Sequence, residues 1–590
     1  MKKFDTKISI DGEFVDYYES ISLQQEIYNH HFFCVELDYQ VIEKRGTHTI
    51  DASKKWLGKD MMIVFEDYSF SGVITNIELV HNNGFESRLH ISGYSKTVLL
   101  EAGKHLQSWL KKDLSSIIKH VTEQGSVKAE VTPVFKEEIE YECQYNESHY
   151  TLIKRLAKQY NEWLYYDGQK LLFGKPSSQK GAIELIYGKD LPSLHLGIEA
   201  KPNNFSAFSY NGLLDEKYSE KAKSSVKGLN ELGFHSFKAS KEVFKLASNQ
   251  HLNGVFNDKS KIEKAIESLR ASETVGNHMI KGKSNKQGLS IGSVIKVLAT
   301  GFKDGEAGKE VKPYGEYIIT EIEHEAVDGN YQNSFTAVAS SIEVLPTNFE
   351  VDFPVAESQL ATVISNKDPE NKGRVQVKFQ WQVDNMKSSW VPVLTPNGGK
   401  SDQVNTNRGF VFIPEEGDQV MIGFRYNAPN RPFVMGSFFN GNTGAGGSDN
   451  NKIKSITTRS GSTIIFDDDE EKGAITVKDG AGNVVVLNGK DTVSVTANET
   501  ISLSTGASSM TLKSDGTIDI IGANISISGS ETTSMATNDS TFNTEAGKSS
   551  VNGAEVEING TQTATVNGTT KATISSSATT SIEGTIVKLN

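Results

Sequence analysis

Ile525-Ser526-Ile527-Ser528-Gly529 and, further on, Ala564-Thr565-Val566-Asn567-Gly568 share one outline: a small or apolar residue, a polar one, an apolar anchor, a polar one and glycine. The outline recurs from Leu487 to the end of the sequence. Its anchors are Leu487, Val495, Leu503, Leu512, Ile520, Ile527, Met535, polar Asn543, Val551, Ile558, Val566, Ile574 and Ile582, mostly about eight residues apart. Apolar residues at i and i+2 are the spacing of one β-strand face, and glycine after the anchor supplies a corner tolerant of positive φ. Each repeat therefore predicts a short strand plus a tight turn.

A repeat of this size buries too little apolar surface to offset the ordering of its own backbone, so neighbours must cover it. One strand and one corner do not make the three faces of a single-chain β-helix coil, so several chains must complete each turn. Three chains closing a triangular prism is the simplest arrangement, with the apolar anchors as its core. The segment after Pro432 holds no proline and, from Asn450 on, no aromatic except Phe466 and Phe542, as a narrow axis requires. In this reading the backbone bonds of the needle run between chains, leaving no single hairpin to peel. Asn543 would mark a hydrated point on the axis. A disordered Ser/Thr/Gly linker, the alternative, gives no reason for apolar residues to keep register.

Working outward, 590 residues suggest several domains, and a net charge of −13 argues against a nucleic-acid partner, which wants a concentrated basic face. Two cysteines, Cys34 and Cys143, make no disulfide framework, which fits assembly in a reducing cytoplasm. No apolar run follows Met1, so no signal peptide is expected, and no apolar run is long enough to span a membrane. The histidines all lie at or before His324, which leaves the repeats without a histidine metal site. The basic stretch Lys281 to Lys286 lacks phosphate-loop spacing, and the acidic run Asp467 to Glu471 lacks that of a calcium loop. Both read as solvated turns. No nucleophile elbow, HExxH or Cys-His arrangement appears, so no catalytic residue, metal or cofactor is assigned.

The N-terminal part reads as β-rich, with alternating runs at Phe32 to Leu37 and Phe70 to Leu79. Helices are expected at Ser108 to His120, from Asn146 or Ser148 with Leu152, Ile153, Leu156 and Tyr160 on one face, and at Lys259 to Ala271. Trp163 to Phe173 reads as a hairpin turning at Asp167-Gly168, and Leu289 to Ile295 and Tyr317 to Ile322 as strands. Between Gln359 and Asn442 lie Gly373-Arg374-Val375-Gln376-Val377-Lys378-Phe379-Gln380-Trp381, Ser389-Trp390-Val391-Pro392-Val393, Phe412-Ile413-Pro414-Glu415-Glu416-Gly417-Asp418 and Asn430-Arg431-Pro432-Phe433-Val434-Met435-Gly436. About five short strands with Gly/Pro corners suit a small closed barrel, its aromatics explained by core packing better than by base stacking. Ser460 to Asp469 and Gly473 to Val477 read as a pair of strands.

These fragments and their order, with Gln144-Tyr145-Asn146-Glu147-Ser148 and Leu171-Leu172-Phe173-Gly174 upstream, resemble VgrG spike proteins of type VI secretion systems, relatives of the hub and spike of contractile phage baseplates. The resemblance implies a mainly β fold with an α+β N-terminal part in a homotrimer. It divides into a phage-hub-like domain over 1–350, an OB-type barrel over 351–442, a linker and β lead-in over 443–486, and an intertwined triple-stranded β-helix needle over 487–590. It further implies a non-enzymatic spike that caps an Hcp-type tube, is surrounded by baseplate proteins, carries a PAAR-type tip protein or effector cargo, and meets the target-cell membrane transiently. Ile586, Val587, Lys588, Leu589 and Asn590 would bind the tip protein. Such a spike is assembled in the bacterial cytoplasm and then secreted to the extracellular space or a target cell. The spike of a phage tail or of an extracellular injection particle, and an effector enzyme, are the alternatives.

Overall fold

The computed structural model describes residues 6–44, 47–82, 86–177, 179, 181–212, 215–252, 256, 258–302, 309–533 and 555–589. The chain divides into two compact units, Met1–Gly444 and Ala445–Asn590.

In the first unit, period-two patterning does what it predicts. Strand Phe32–Asp38 buries Phe33, Val35 and Leu37, and Tyr68–Asn82 contains the run expected there. These belong to a 13-stranded sheet that begins at Glu13–Val15 and passes through Thr6–Ile10, Asp60–Phe65, Tyr68–Asn82, Glu86–Ser95 and Phe32–Asp38 to Ser20–Glu26. It continues through Lys309–Val327, Asn330–Ala339 and His278–Ser284 to Ser193–Ile198, and a branch of two further strands, Val294–Phe302 and then Ile183–Tyr187, starts from Lys309–Val327. The joint is the antiparallel pairing of Ser20–Glu26 with the far end of Lys309–Val327, from Glu321 opposite Glu26 to Val327 opposite Ser20. Early and late segments of the hub thus share one ladder, with separate cores around Phe33, Ile63 and Phe70 and around Leu156, Phe173 and Tyr317.

Helix Leu114–Gln124 starts later than the sequence suggested. His105–Asp113 pairs as a strand with Glu138–Glu147, and only at Asp113 does a side chain accept the Ser116 backbone N–H and open the helix. Helix His149–Tyr160 is capped by Ser148, whose Oγ accepts from Thr151 N at 3.0 Å; it buries Leu152, Ile153 and Leu156, leaves Tyr160 half-buried and ends at left-handed Asn161. The hairpin Leu164–Tyr166 and Leu171–Phe173 turns on Asp167, whose Oδ1 accepts from the N–H groups of Gln169 and Lys170. Helix Lys259–Val275 runs four residues beyond the expected end at Ala271. The strand expected at Leu289 begins instead at Val294. Lys281 and Lys283 lie not in a turn but on strand His278–Ser284, facing solvent while Ile280 and Gly282 face inward.

The barrel is a four-stranded sheet in the order Gln376–Phe379, Gln359–Ser365, Gln419–Phe424, Pro432–Phe438. Isolated bridges from Val375 to Val391 and from Val393 to Val434 draw the intervening segment around a core of Ala361, Val363, Val377, Val420 and Ile422. Arg374 grips Asp368 with two hydrogen bonds of 2.7 and 2.9 Å, which holds that carboxyl well below its usual range. Two barrel glutamines tie it to the hub. Gln382 Nε2 donates to Ser108 Oγ at 2.7 Å, and Gln359 Nε2 reaches Tyr145 OH at 3.4 Å while its Oε1 accepts from Trp381 Nε1. Trp381 stacks on Phe379, as core packing predicts, but Phe410, Phe412, Phe438 and Phe439 are exposed. Alternation within strands says nothing of aromatics in the corners or, like Phe438, at the last position of a strand.

In the second unit an antiparallel meander of five strands, Ile453–Thr457, Thr463–Asp467, Ala474–Lys478, Val484–Leu487 and Val493–Thr496, is followed by one of three, Thr500–Thr505, Ser508–Lys513 and Ile518–Ile521. Within the chain, from residue 453 to 521, each strand pairs with a sequence neighbour, and because Val493–Thr496 and Thr500–Thr505 do not pair the two meanders are separate sheets. Corners only a few residues long make that pairing the local solution. From residue 555 to 589 no strand is assigned.

Candidate functional site

The candidate site is an apolar face on the second unit. Cross-strand pairing sets it out in two adjacent columns. Ile456, Ile464, Val477, Val485 and Val495 stand opposite one another in turn, and beside them run Phe466, Ile475, Leu487 and Val493. In the second meander the columns are Ile501, Leu512 and Ile518, and Leu503, Met510 and Ile520. Alternate strands reverse direction, so each anchor lies opposite a residue two places before another anchor: Leu487 faces Val493, and Leu503 faces Met510. The anchors do not form one column but two mixed ones.

Among the described residues of the chain these columns are left half-buried or exposed. Among the described residues of this unit no apolar side chain is buried; Val493 is 66 % exposed, Leu503 65 % and Ile518 61 %. Ile527, Ile558, Val566, Ile574 and Ile582 are likewise exposed, while Met535 and Val551, with Asn543, lie outside the described residues. Covering a Val, Ile or Leu in such a position contributes on the order of 1 kcal/mol or more, so the fifteen side chains of these four columns together favour burial strongly. Contiguous apolar surface of this kind marks an interface.

The turns between strands are satisfied internally. Asn488 Oδ1 accepts from the N–H groups of Lys490 and Thr492, and Asp479 Oδ1 from those of Ala481 and Asn483. Gly489 takes positive φ, +71°, where a Cβ would lie 2.0 Å from Gly473 O. Further on, the glycines serve differently. Gly529, Gly560 and Gly568 are not at positive φ; a Cβ on each would press on the carbonyl three residues ahead, that of Thr532, Thr563 or Lys571. The repeat therefore preserves a close backbone approach even where no strand is assigned.

The acidic run Asp467 to Glu471 lies at the corner between Thr463–Asp467 and Ala474–Lys478; Lys452 reaches Asp469 at 3.1 Å, and Lys454 pairs with Asp468. Ile586, Val587, Lys588 and Leu589 are all exposed and Asn590 lies outside the described residues. Sequence reasoning missed the upstream part of the face, Ile456 to Val485, because those strands are spaced more widely than the repeats after them. Their i, i+2 pairs, Ile464 with Phe466 and Ile475 with Val477, carried the signal. Among the described residues no group of three or more His, Cys, Asp and Glu is placed to hold a metal ion, and no helix is long and apolar enough to cross a membrane.

Two family models match the chain. Residues 34–330 match the phage tail baseplate hub (GPD) model, and residues 359–439 the type VI secretion system/phage-baseplate injector OB domain. Among solved structures, a Francisella PdpA-VgrG complex matches with a TM-score of 0.53 at 11 % identity, covering 84 % of this chain and 88 % of that one. An E. coli component of the type VI secretion system matches with a TM-score of 0.45 at 14 % identity, covering 73 % of this chain and 100 % of that one. A tail protein of prophage MuSo2 from Shewanella oneidensis matches with a TM-score of 0.42 at 14 % identity, covering 57 % of this chain and 98 % of that one. No curated protein matches the sequence.

Proposed function

Since the chain belongs to the phage tail baseplate hub (GPD) family, we propose that it is the homotrimeric, non-enzymatic spike of a type VI secretion system. The hub domains of three copies form a ring on an Hcp-type tube, their barrels a neck, and their second units one needle that punctures the target membrane. The observation that carries this reading is the uncovered two-column apolar face from Ile456 to Ile520. Three such faces turned inward bury one another, leaving the polar turns outside. Leu487, Val495, Leu503, Leu512, Ile520, Ile527, Met535, Val551, Ile558, Val566, Ile574 and Ile582 are assigned to that core, joined by the upstream residues of the face. Ile586 to Asn590 are assigned to capture of a PAAR-type tip protein. Baseplate proteins would surround the hub, and effector cargo would travel with the spike from the cytoplasm to the target.

The native mass of the purified full chain tests the core of this reading. A mass of three chains at micromolar concentration is expected, and a monomer would overturn it. A second reading, the spike of a contractile phage tail, is favoured by the name of the matching hub family. Affinity capture of the full chain from its own cells separates the two: a secretion-system tube and tip protein on the bead support the first, phage tail proteins the second.

A further inference from the structure

The main run of the 13-stranded sheet of the hub ends in two strands that pair on one side only, while a branch through Val294–Phe302 ends separately in Ile183–Tyr187. Glu13–Val15 pairs with Thr6–Ile10 alone, and Ser193–Ile198 with His278–Ser284 alone. An edge strand leaves a row of N–H and C=O groups open to another chain, and proteins usually blunt it with proline, inward charge or a bulge. Ser193–Ile198 carries none of these: its sequence is Ser-Leu-His-Leu-Gly-Ile and its register against the neighbouring strand is unbroken. The side chains from His195 to Ile198 are exposed, Leu196 and Ile198 among them. At the opposite edge Phe14 is 74 % exposed.

The two edges differ in charge. Around Glu13–Val15 stand Asp11, Glu13 and Asp16, all exposed; Lys59 and Lys55 lie 3.1 and 3.9 Å from Asp11 and Glu13 in exposed pairs of little strength. Beside Ser193–Ile198, on the next strand, Lys281 and Lys283 point to solvent without an ion pair among the described residues. The faces match as well. Glu13 and Val15 stand opposite Ile10 and Ile8, on the core side of the sheet, as Leu196 stands opposite Ile280; Phe14, opposite Ser9, shares the outer face with His195, opposite Lys281.

We propose that in the trimer the acidic edge Glu13–Val15 of one copy pairs with the basic edge Ser193–Ile198 of the next, so that the hub sheets continue from chain to chain. This rests on the trimeric reading above and names the contact that makes its ring. Edge-to-edge pairing of two different surfaces is a heterologous contact, which closes after a fixed number of copies or runs on as a filament. Copies held together by their needles close it at three. Val15 then continues the core side beside Leu196, and Phe14 lies over the outer face near His195 or Gly197, the two positions that a shift of register by two residues would offer.

The test uses the full chain with Cys34 replaced by Ser, in two double variants, Phe14→Cys with His195→Cys and Phe14→Cys with Gly197→Cys. Mild oxidation of the native trimer is expected to give chains covalently joined between copies in one of the two, seen by denaturing electrophoresis. Lys281→Glu with Lys283→Glu in that background is expected to lower the yield several-fold, as is added salt. A trimeric native mass with no joined chains in either double variant overturns the edge pairing and leaves the trimer standing. Equal joining by Phe14→Cys alone also overturns it, since that is a like-with-like contact. A monomeric native mass sinks both readings.

Discussion

His324 is stacked on Phe65 and Tyr68 with ring centroids 5.0 and 5.9 Å away; its Nδ1 meets Tyr331 OH at 2.7 Å and its Nε2 the Gln25 amide oxygen at 3.1 Å. The Gln25 amide nitrogen in turn contacts His31 Nδ1 and donates to Tyr68 OH. Burial disfavours the imidazolium and pushes both histidines down to about 3. In the unfolded chain they titrate near the ordinary value of about 6.5. Stability from keeping them neutral is therefore complete above that pH and is lost as pH falls from about 6.5 toward 3. Urea midpoints of the full chain should fall steadily over that window, and a flat profile would contradict it. A second prediction concerns Arg155, buried with Glu142 at 3.2 Å and Glu147 at 2.7 Å. Arg155→Met leaves two buried carboxylates without their cation and should cost about 3–5 kcal/mol, read as a lower denaturation midpoint. Neither group was legible in the sequence. Gln25 and His324 meet only because an early and a late strand of the hub, Ser20–Glu26 and Lys309–Val327, pair, and no local pattern announces that.

At the scale of elements, legibility follows how local the determining contact is. Helix His149–Tyr160 could be read because Ser148, its apolar stripe and Asn161 lie within a few turns. The false start at Ser108 came from a strand whose partner, Glu138–Glu147, lies beyond the next helix. In the repeats, spacing revealed which residues share a face but not that strands reverse within one chain, because i, i+2 alternation is the same for both directions. The face itself makes a sharp prediction. Ile475→Asp in the lead-in or Val566→Asp further out would set three like charges on one axis in the trimer and should block assembly, seen as loss of the trimeric mass in light scattering. An unaltered trimer would show that the residue does not point inward. The same substitution at outward-facing Thr476, whose neighbours across the strands are Ile465 and Val486, should leave the mass unchanged.

For the whole molecule, the order of hub and barrel was legible from fragments in the chain, whereas the single sheet running through the hub was not. The ends of its main run lie at residues 13 and 198, and its middle at residue 321, an interleaving that fragments read in order cannot reveal. Taking about 4.8 Å between strands, the thirteen or so repeats predict a needle of roughly 60 Å, measurable by electron microscopy. Removing Ile586 to Asn590 should leave the trimer intact while abolishing capture of a tip protein, read by co-purification.

The meander also sets the order of events when the spike is made. Each of its strands meets its partner after a turn of only a few residues, and such hairpins close in about 1–10 μs without help from another molecule. In the proposed trimer, covering the finished face requires three chains to find one another, a step whose rate depends on concentration. A newly made chain therefore carries a formed but sticky sheet for as long as its copies are scarce. Ribosomes translating one message side by side would shorten that wait, and a chaperone that holds apolar strands would make it harmless.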